Sequence, residues 1–265
     1  MIHKNFTYDG ISCDEYGVYI GAFNQIETGK MAVMPAADLK TVRSRRSDIF
    51  HIVSQNYSSP LNFEMQLFGR NYGAITQEHE RALKKWLLKK GQYKWFSILD
   101  KRYANLWFRA NIHSPENIRV NDVIGISFQV STNAPYAFSD LIEHSLDFTE
   151  NAAAASVYVD NDEEAGIYPE MEITMLADGD LIITNESDTY KKNQFKLTGL
   201  KAGEIITVNN EIPFIESTND TLLKKVYDRF SKYWFFLKDG ENVISVSNHC
   251  IVTLRYREIR KAGVQ

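Results

Sequence analysis

Residues 231 to 258 read SKYWFFLKDGENVISVSNHCIVTLRYRE: three apolar runs separated by polar turns, closing on alternating charge. Tyr233 to Leu237 is too short for a membrane helix, which needs about 20 apolar residues. Asp239-Gly240 marks a turn, because glycine accepts positive φ and aspartate can bond its own backbone. Beyond it lie Val243, Ile244, Val246, Ile251, Val252, Leu254 and Tyr256. Arg255 and Arg257 fall between Leu254, Tyr256 and Ile259, close to period two. This is the grammar of antiparallel strands with one face inward. The terminal RYREIRK reads as a charged, solvated edge that discourages stray strand pairing.

The same grammar fills the second half. SVYVDNDEEAG is a strand and an acidic turn. YPEMEITMLADGDLIITNES pairs Met171, Ile173 and Met175 with Leu181 and Ile183 across Asp178-Gly179, and FKLTGLKAGEIITVNN repeats the pattern across Gly203. Many short strands with regular turns indicate a β-sandwich or jelly roll.

The first half is also strand-rich. In SSPLNFEMQLFG, Leu61, Phe63, Met65 and Leu67 point one way while Asn62, Glu64 and Gln66 point the other. YKWFSILD, ANLWFRANIHS and DVIGISFQVSTNAPYAF read as further strands, whereas residues 23 to 46 look irregular or extended. One helix is expected over TQEHERALKKWLLKKG. Thr76 caps it, Glu78 and Glu80 suit its first turn, Lys89 and Lys90 its last, and Gly91 stops it. Leu83, Trp86 and Leu87 share its buried face. Asn133, Ala134 and Pro135 break the strand pattern, and a boundary is placed near Phe138 to His144.

Composition agrees with a folded chain: 265 residues, enough for two domains, with 44% hydrophobic, 24% charged and 12% aromatic residues. The net charge of −4 and pI of about 5.9 provide no global attraction to nucleic acid. No signal peptide or membrane segment is expected. Cys13 and Cys250 form no CxxC pair and read as reduced thiols, with a disulfide between them left open.

The six histidines show no HxxxH spacing, and His79 lies between Glu78 and Glu80 on positions that diverge by about 100° per residue. Asp160, Asp162 and Glu164 lack the glycine and the bidentate glutamate of a calcium loop, since Ala165 and Met171 hold those positions. Glu170 and Glu172 look like the wet face of a strand rather than a glycosidase pair. No nucleophile elbow, P-loop or dinucleotide fingerprint occurs. Neither enzyme activity, nor a cofactor, nor a metal is expected. Tyr233, Trp234 and Phe235 could stack on a sugar ring but fit a core better.

In order along the chain, FTYDGISCDEYGVYI, SSPLNFEMQLFG, ALKKWLLKKGQYKWFSILD and ISFQVSTNAPYAF, then YPEMEITMLADGDLIITN, FLKDGENVISVS and VTLRYRE, resemble the distal tail protein family of long-tailed bacteriophages and prophages, which forms the baseplate hub. The resemblance implies a mainly β fold: an N-terminal β-rich, barrel-like, ring-forming domain with one α-helix over residues 1–138, and a C-terminal galectin-like β-sandwich over 139–265. It implies a homo-hexameric ring, assembled in the host cytoplasm and located in the virion tail. The ring would join the tail tube protein to the tail-tip protein, with receptor-binding protein attached outside. DNA would pass through it without other nucleic-acid contact. A carbohydrate-binding module recognising host glycan is the alternative.

A ring needs a heterologous interface that closes. The segment from Gly29 to Phe50 is long and apolar in places, with a basic run, and is expected to reach over a neighbouring copy. The interface candidates are Met31, Val33, Met34, Arg43, Arg45, Arg46, Ile49 and Phe50.

Overall fold

A computed structural model describes residues 4–23, 34–70, 74–120, 122–149, 154–164, 166–188 and 194–264. The chain is mainly β, with one α-helix among the described residues, and it divides into two compact units, Met1–Phe138 with Arg260–Gln265, and Ser139–Ile259.

The first unit contains β1 (Asn5–Tyr8), β2 (Ile11–Ser12), β3 (Val18–Phe23), β4 (Ala37–Arg43), β5 (Phe50–Tyr57), β6 (Asn62–Gly69), α1 (Gln77–Leu87), β7 (Lys94–Leu99), β8 (Phe108–Val120), β9 (Asp122–Thr132) and β10 (Ala137–Phe138). Seven of these strands form one antiparallel sheet, ordered β2-β1-β7-β8-β9-β6-β3. The sheet curls back on itself. Lys4 and Ile20 exchange backbone hydrogen bonds of 3.1 and 2.9 Å, which joins the β3 end to the chain just before β1. Closure of this kind removes most of the unpaired edge. Alternation then sends Phe6, Tyr8, Phe63, Met65, Phe96 and Phe128 into one core. Phe68, on the other side of β6, lies across glycines of both neighbouring strands. A Cβ at Gly21 would stand 2.5 Å from its ring, and one at Gly125 would stand 2.7 Å from the Leu67 carbonyl oxygen.

The helix caps one opening of this core. Thr76 Oγ1 accepts the His79 N–H at 3.2 Å, the expected N-cap bond. Leu83, Trp86 and Leu87 are buried, and Trp86 stacks on Tyr16 at 4.4 Å and on Phe6 at 5.5 Å while its indole N–H donates to the Tyr8 carbonyl. The helix ends at Leu87, about a turn before the expected stop at Gly91. The Asn111 side-chain amide donates to the Lys89 and Gln92 carbonyls, at 2.8 and 2.7 Å, satisfying backbone groups just past the helix end.

The second unit contains β11 (Ile142–Phe148), β12 (Ala155–Val159), β13 (Glu170–Met175), β14 (Gly179–Asn185), β15 (Gln194–Leu200), β16 (Ile205–Asn209), β17 (Phe214–Ser217), β18 (Gly240–Val246) and β19 (Cys250–Tyr256). They form a five-stranded sheet, β11-β19-β13-β16-β17, and a four-stranded sheet, β12-β18-β14-β15. Their inner faces share one core that includes Phe148, Val157, Ile173, Leu181, Phe195 and Leu254. This is the two-sheet sandwich that the short strands foretold.

The expected pairing across Asp178-Gly179 is not made. Strand β13 pairs with β16 and β19, whereas β14 pairs with β15 and β18. The turn carries the chain from one sheet to the other, so Met171, Ile173 and Met175 belong to the sheet opposite that of Leu181 and Ile183. The turns at Gly203 and at 247–249 do the same. A turn signal marks a reversal of direction without naming the partner strand. The run Tyr233–Leu237 forms no extended strand either. It contributes one bridge, Leu237 to Ile167, and buries Phe235 and Leu237.

RYREIRK is not a solvated edge. Strand β19 lies inside its sheet, between β11 and β13. Arg255 on its outer face pairs with Glu143 at 2.7 Å and Glu172 at 3.5 Å. Tyr256, Glu258 and Ile259 are buried. The Glu258 N–H donates to Ser139 Oγ, its carboxylate accepts the Asp160 N–H, and the Ile259 N–H donates to Asn161 Oδ1. Beyond this point Val264 enters the core of the first unit, with Ala262 packed against it. Val264→Ala is therefore expected to lower the stability of that unit by about 2 kcal/mol. An unchanged thermal transition would show that this segment is not seated there.

Both cysteines are buried free thiols, so the disulfide left open by the sequence is not formed. Cys13 Sγ accepts the Phe6 N–H at 3.3 Å, and burial pushes the Cys250 thiol up to about 12.

Candidate assembly surface

Strands β4 and β5 stand apart as a two-stranded ladder outside the seven-stranded sheet. The second half of the segment expected to be irregular, residues 23 to 46, is thus strand β4, paired with β5 in a hairpin. Its register pairs Ala37 with Tyr57, Leu39 with Gln55, Thr41 with Ile52 and Arg43 with Phe50, with an irregularity at Lys40/Thr41 that leaves Val53 as the extra residue. The base is tied by Ser58, whose N–H and hydroxyl both donate to the Ala36 carbonyl at 2.9 Å. At the tip, the Ser44 N–H donates to the Ile49 carbonyl at 2.9 Å, and Arg43 forms an ion pair with Asp48.

Directly opposed residues of an antiparallel pair project to the same side. One face of the hairpin therefore carries Ala37, Leu39, Thr41, Arg43, Phe50, Ile52, Gln55 and Tyr57, and the other carries Asp38, Lys40, Val42, His51, Ser54 and Asn56. The first face holds the apolar cluster Leu39, Phe50, Ile52 and Tyr57 alongside Thr41, Arg43 and Gln55, and the second is mostly polar. Leu39, Phe50 and Ile52 are nonetheless 56, 62 and 64% exposed. An isolated hairpin is at best marginally stable in water, and an apolar face of this kind is normally covered. Among the described residues nothing covers these three side chains.

The interface candidates divide as follows. Met31 and Val33 lie outside the described residues. Met34 is half-buried just before β4, and Arg43, Arg45, Arg46, Ile49 and Phe50 are exposed on the outer half of the hairpin. Leu39 and Ile52, which share the face with Phe50, are not among the candidates read from the sequence. Their signal was the alternation of Ala37, Leu39 and Thr41 with Asp38, Lys40 and Val42, diluted by Val42 on the polar side. Arg43 is engaged with Asp48.

Other candidates take structural roles. Trp234 packs edge-on against Phe230 at 4.9 Å, beside buried Phe235. Glu170 accepts an amide hydrogen of Asn209 on the outer sheet face. One ring nitrogen of His79 sits 2.6 Å from the Tyr16 carbonyl oxygen. Among the described residues, no three His, Cys, Asp or Glu side chains are grouped to hold a metal ion, and no helix is long and apolar enough to cross a membrane.

The model of a family described as phage tail protein N-terminal domain matches residues 1–134, and that of the corresponding phage tail C-terminal domain matches 136–256. The chain belongs to this family of phage tail proteins. A relative, the SPbeta prophage-derived protein YomH of Bacillus subtilis strain 168, is 26% identical over 207 residues, covering 76% of this chain and 75% of its own length. Among solved structures, Dit (gp 19.1) of phage SPP1, described as a paradigm of the hub adsorption apparatus in phages infecting Gram-positive hosts, matches with a TM-score of 0.65. The match has 9% identity and covers 96% of this chain and 98% of that one. A chain of the phage P2 baseplate in its activated conformation with Sr matches at 0.59, with 8% identity and 99% coverage of each chain. The tail protein thus has the fold of these hub and baseplate chains.

Proposed function

We propose that this tail protein is the distal hub of the tail: six copies close a ring that joins the tail tube protein to the tail-tip protein, and receptor-binding protein attaches through the second unit. The role is structural rather than catalytic. The observation that carries the reading is the exposed apolar face of the β4–β5 hairpin, Leu39, Phe50 and Ile52. A hairpin docking on a different surface of the next copy makes a head-to-tail contact, and such contacts give a ring when the rotation closes. The Dit-like fold supports the same reading. Purified protein, alone or mixed with tube and tip proteins, is expected to form closed rings in negative-stain images, with a mass of six times the 30.5 kDa chain. A chain that stays single at high concentration in all these mixtures would overturn the proposal.

A further inference from the structure

The loop after β17 presents a second, unrelated surface. The Thr221 N–H donates to the Lys224 carbonyl at 2.9 Å and the Lys224 N–H returns to Thr221 Oγ1 at 3.1 Å, closing a tight turn. Asp220 braces its base, accepting the N–H groups of Val226 and Ser217 at 2.6 and 3.3 Å. Val226 is buried in the sandwich core and anchors the far side. At the apex of this tied turn, Leu222 and Leu223 are 98 and 93% exposed, the most exposed large hydrophobic side chains among the described residues. Lys224 and Lys225 follow at once, both exposed, and the Lys232 ammonium lies 5.0 Å from the centre of the nearby Tyr227 ring.

A held turn keeps its two leucines from folding back onto the sandwich, and it limits the conformational freedom that docking would cost. The geometry points to an anchor for another tail protein: Leu222 and Leu223 enter an apolar pocket on that protein, and carboxylates at the pocket rim meet Lys224 and Lys225. Charge selects this occupant. Adjacent ammonium groups favour an acidic rim, and apolar anchors at the centre of a contact carry most of its binding energy. The inference rests on the hub reading above, and its test is separable from that one.

Tails purified after assembly with the L222S/L223S chain are expected to retain this chain at wild-type stoichiometry. They are also expected to lose one other tail protein, its affinity falling roughly a hundredfold. K224E/K225E should weaken the same retention, most visibly at low salt. With photoreactive benzoylphenylalanine at position 223 in purified tails, the crosslink should fall on that same protein. Tails of unchanged composition, no crosslink, or a crosslink to another copy of this chain would overturn the inference. Leucine-dependent binding of the purified chain to phosphatidylglycerol vesicles would also overturn it, in favour of a lipid surface. Failure of any copy to enter tails, with unchanged melting, would instead sink the hub reading.

Discussion

Exchange of Leu39, Phe50 and Ile52 for serine is expected to leave the chain folded and to reduce it to single copies. All three are more than half exposed, so the isolated chain loses little by the change. Surface substitutions away from special features usually stay within about 0.5 kcal/mol. Their burial at a contact is another matter. Covering one such side chain contributes about 1.5–3 kcal/mol, so three would supply several kcal/mol at every contact around a ring. Because ring closure needs all contacts at once, loss at each is felt cooperatively. Val42 and His51 project to the other side of the hairpin, so V42S/H51S is the matched control and should still assemble. Sedimentation and circular dichroism on both variants decide the matter. Rings that persist in the triple variant would place the contact elsewhere, and a lowered melting temperature would mean that the hairpin is packed against its own chain.

The second large effect concerns Glu204, whose side chain is 1% exposed. Its carboxylate accepts the Ser217 hydroxyl at 2.6 Å, the Lys201 N–H at 2.9 Å and the Arg229 guanidinium at 3.1 Å. Arg229 also donates to the Thr198 and Gly199 carbonyls, so one carboxylate ties the β15–β16 turn to the segment after β17. Glu204→Ala removes the buried member of an ion pair whose other member, Arg229, is 30% exposed, and it leaves the Lys201 N–H and the Ser217 hydroxyl without their acceptor, at a cost of about 2–3 kcal/mol to the second unit. Burial alone would push the Glu204 pKa up. The hydrogen bonds from Ser217, the Lys201 N–H, Asn219 and Arg229 outweigh it and hold the carboxyl below its ordinary range. Its contribution is therefore fully present above the unfolded value of about 4.3 and is lost as pH falls through the lower folded value. Thermal denaturation of the wild type should show the second unit weakening below about pH 4, and Glu204→Gln should flatten that slope. A Gln variant with the wild-type pH profile would assign the acid sensitivity to other carboxylates.

Much of the fold was legible along the chain because alternation is a local property. Leu61, Phe63, Met65 and Leu67 had to share a face whatever they met, and the helix carried its own cap at Thr76 and its own apolar stripe. The order of motifs along the chain also carries the resemblance to the distal tail protein family. The candidate surface was legible only in part. Phe50 and Ile49 stood out as apolar residues in a polar stretch, but Leu39 and Ile52 join Phe50 only once β4 and β5 are set in register. The paired turn leucines drew no notice in the sequence, since two apolar residues in a loop say nothing about their exposure.

Taken alone, the sequence determined that this protein is built of short strands with one wet and one dry side, punctuated by a single capped helix. Tertiary structure decided which strands pair, that the turns after β13, β15 and β18 cross between sheets, and that Val264 returns to the first core. The physical reason is that side-chain periodicity records inside against outside within a few residues. Partner choice is set by the combined burial of segments far apart in the chain, which no local window contains.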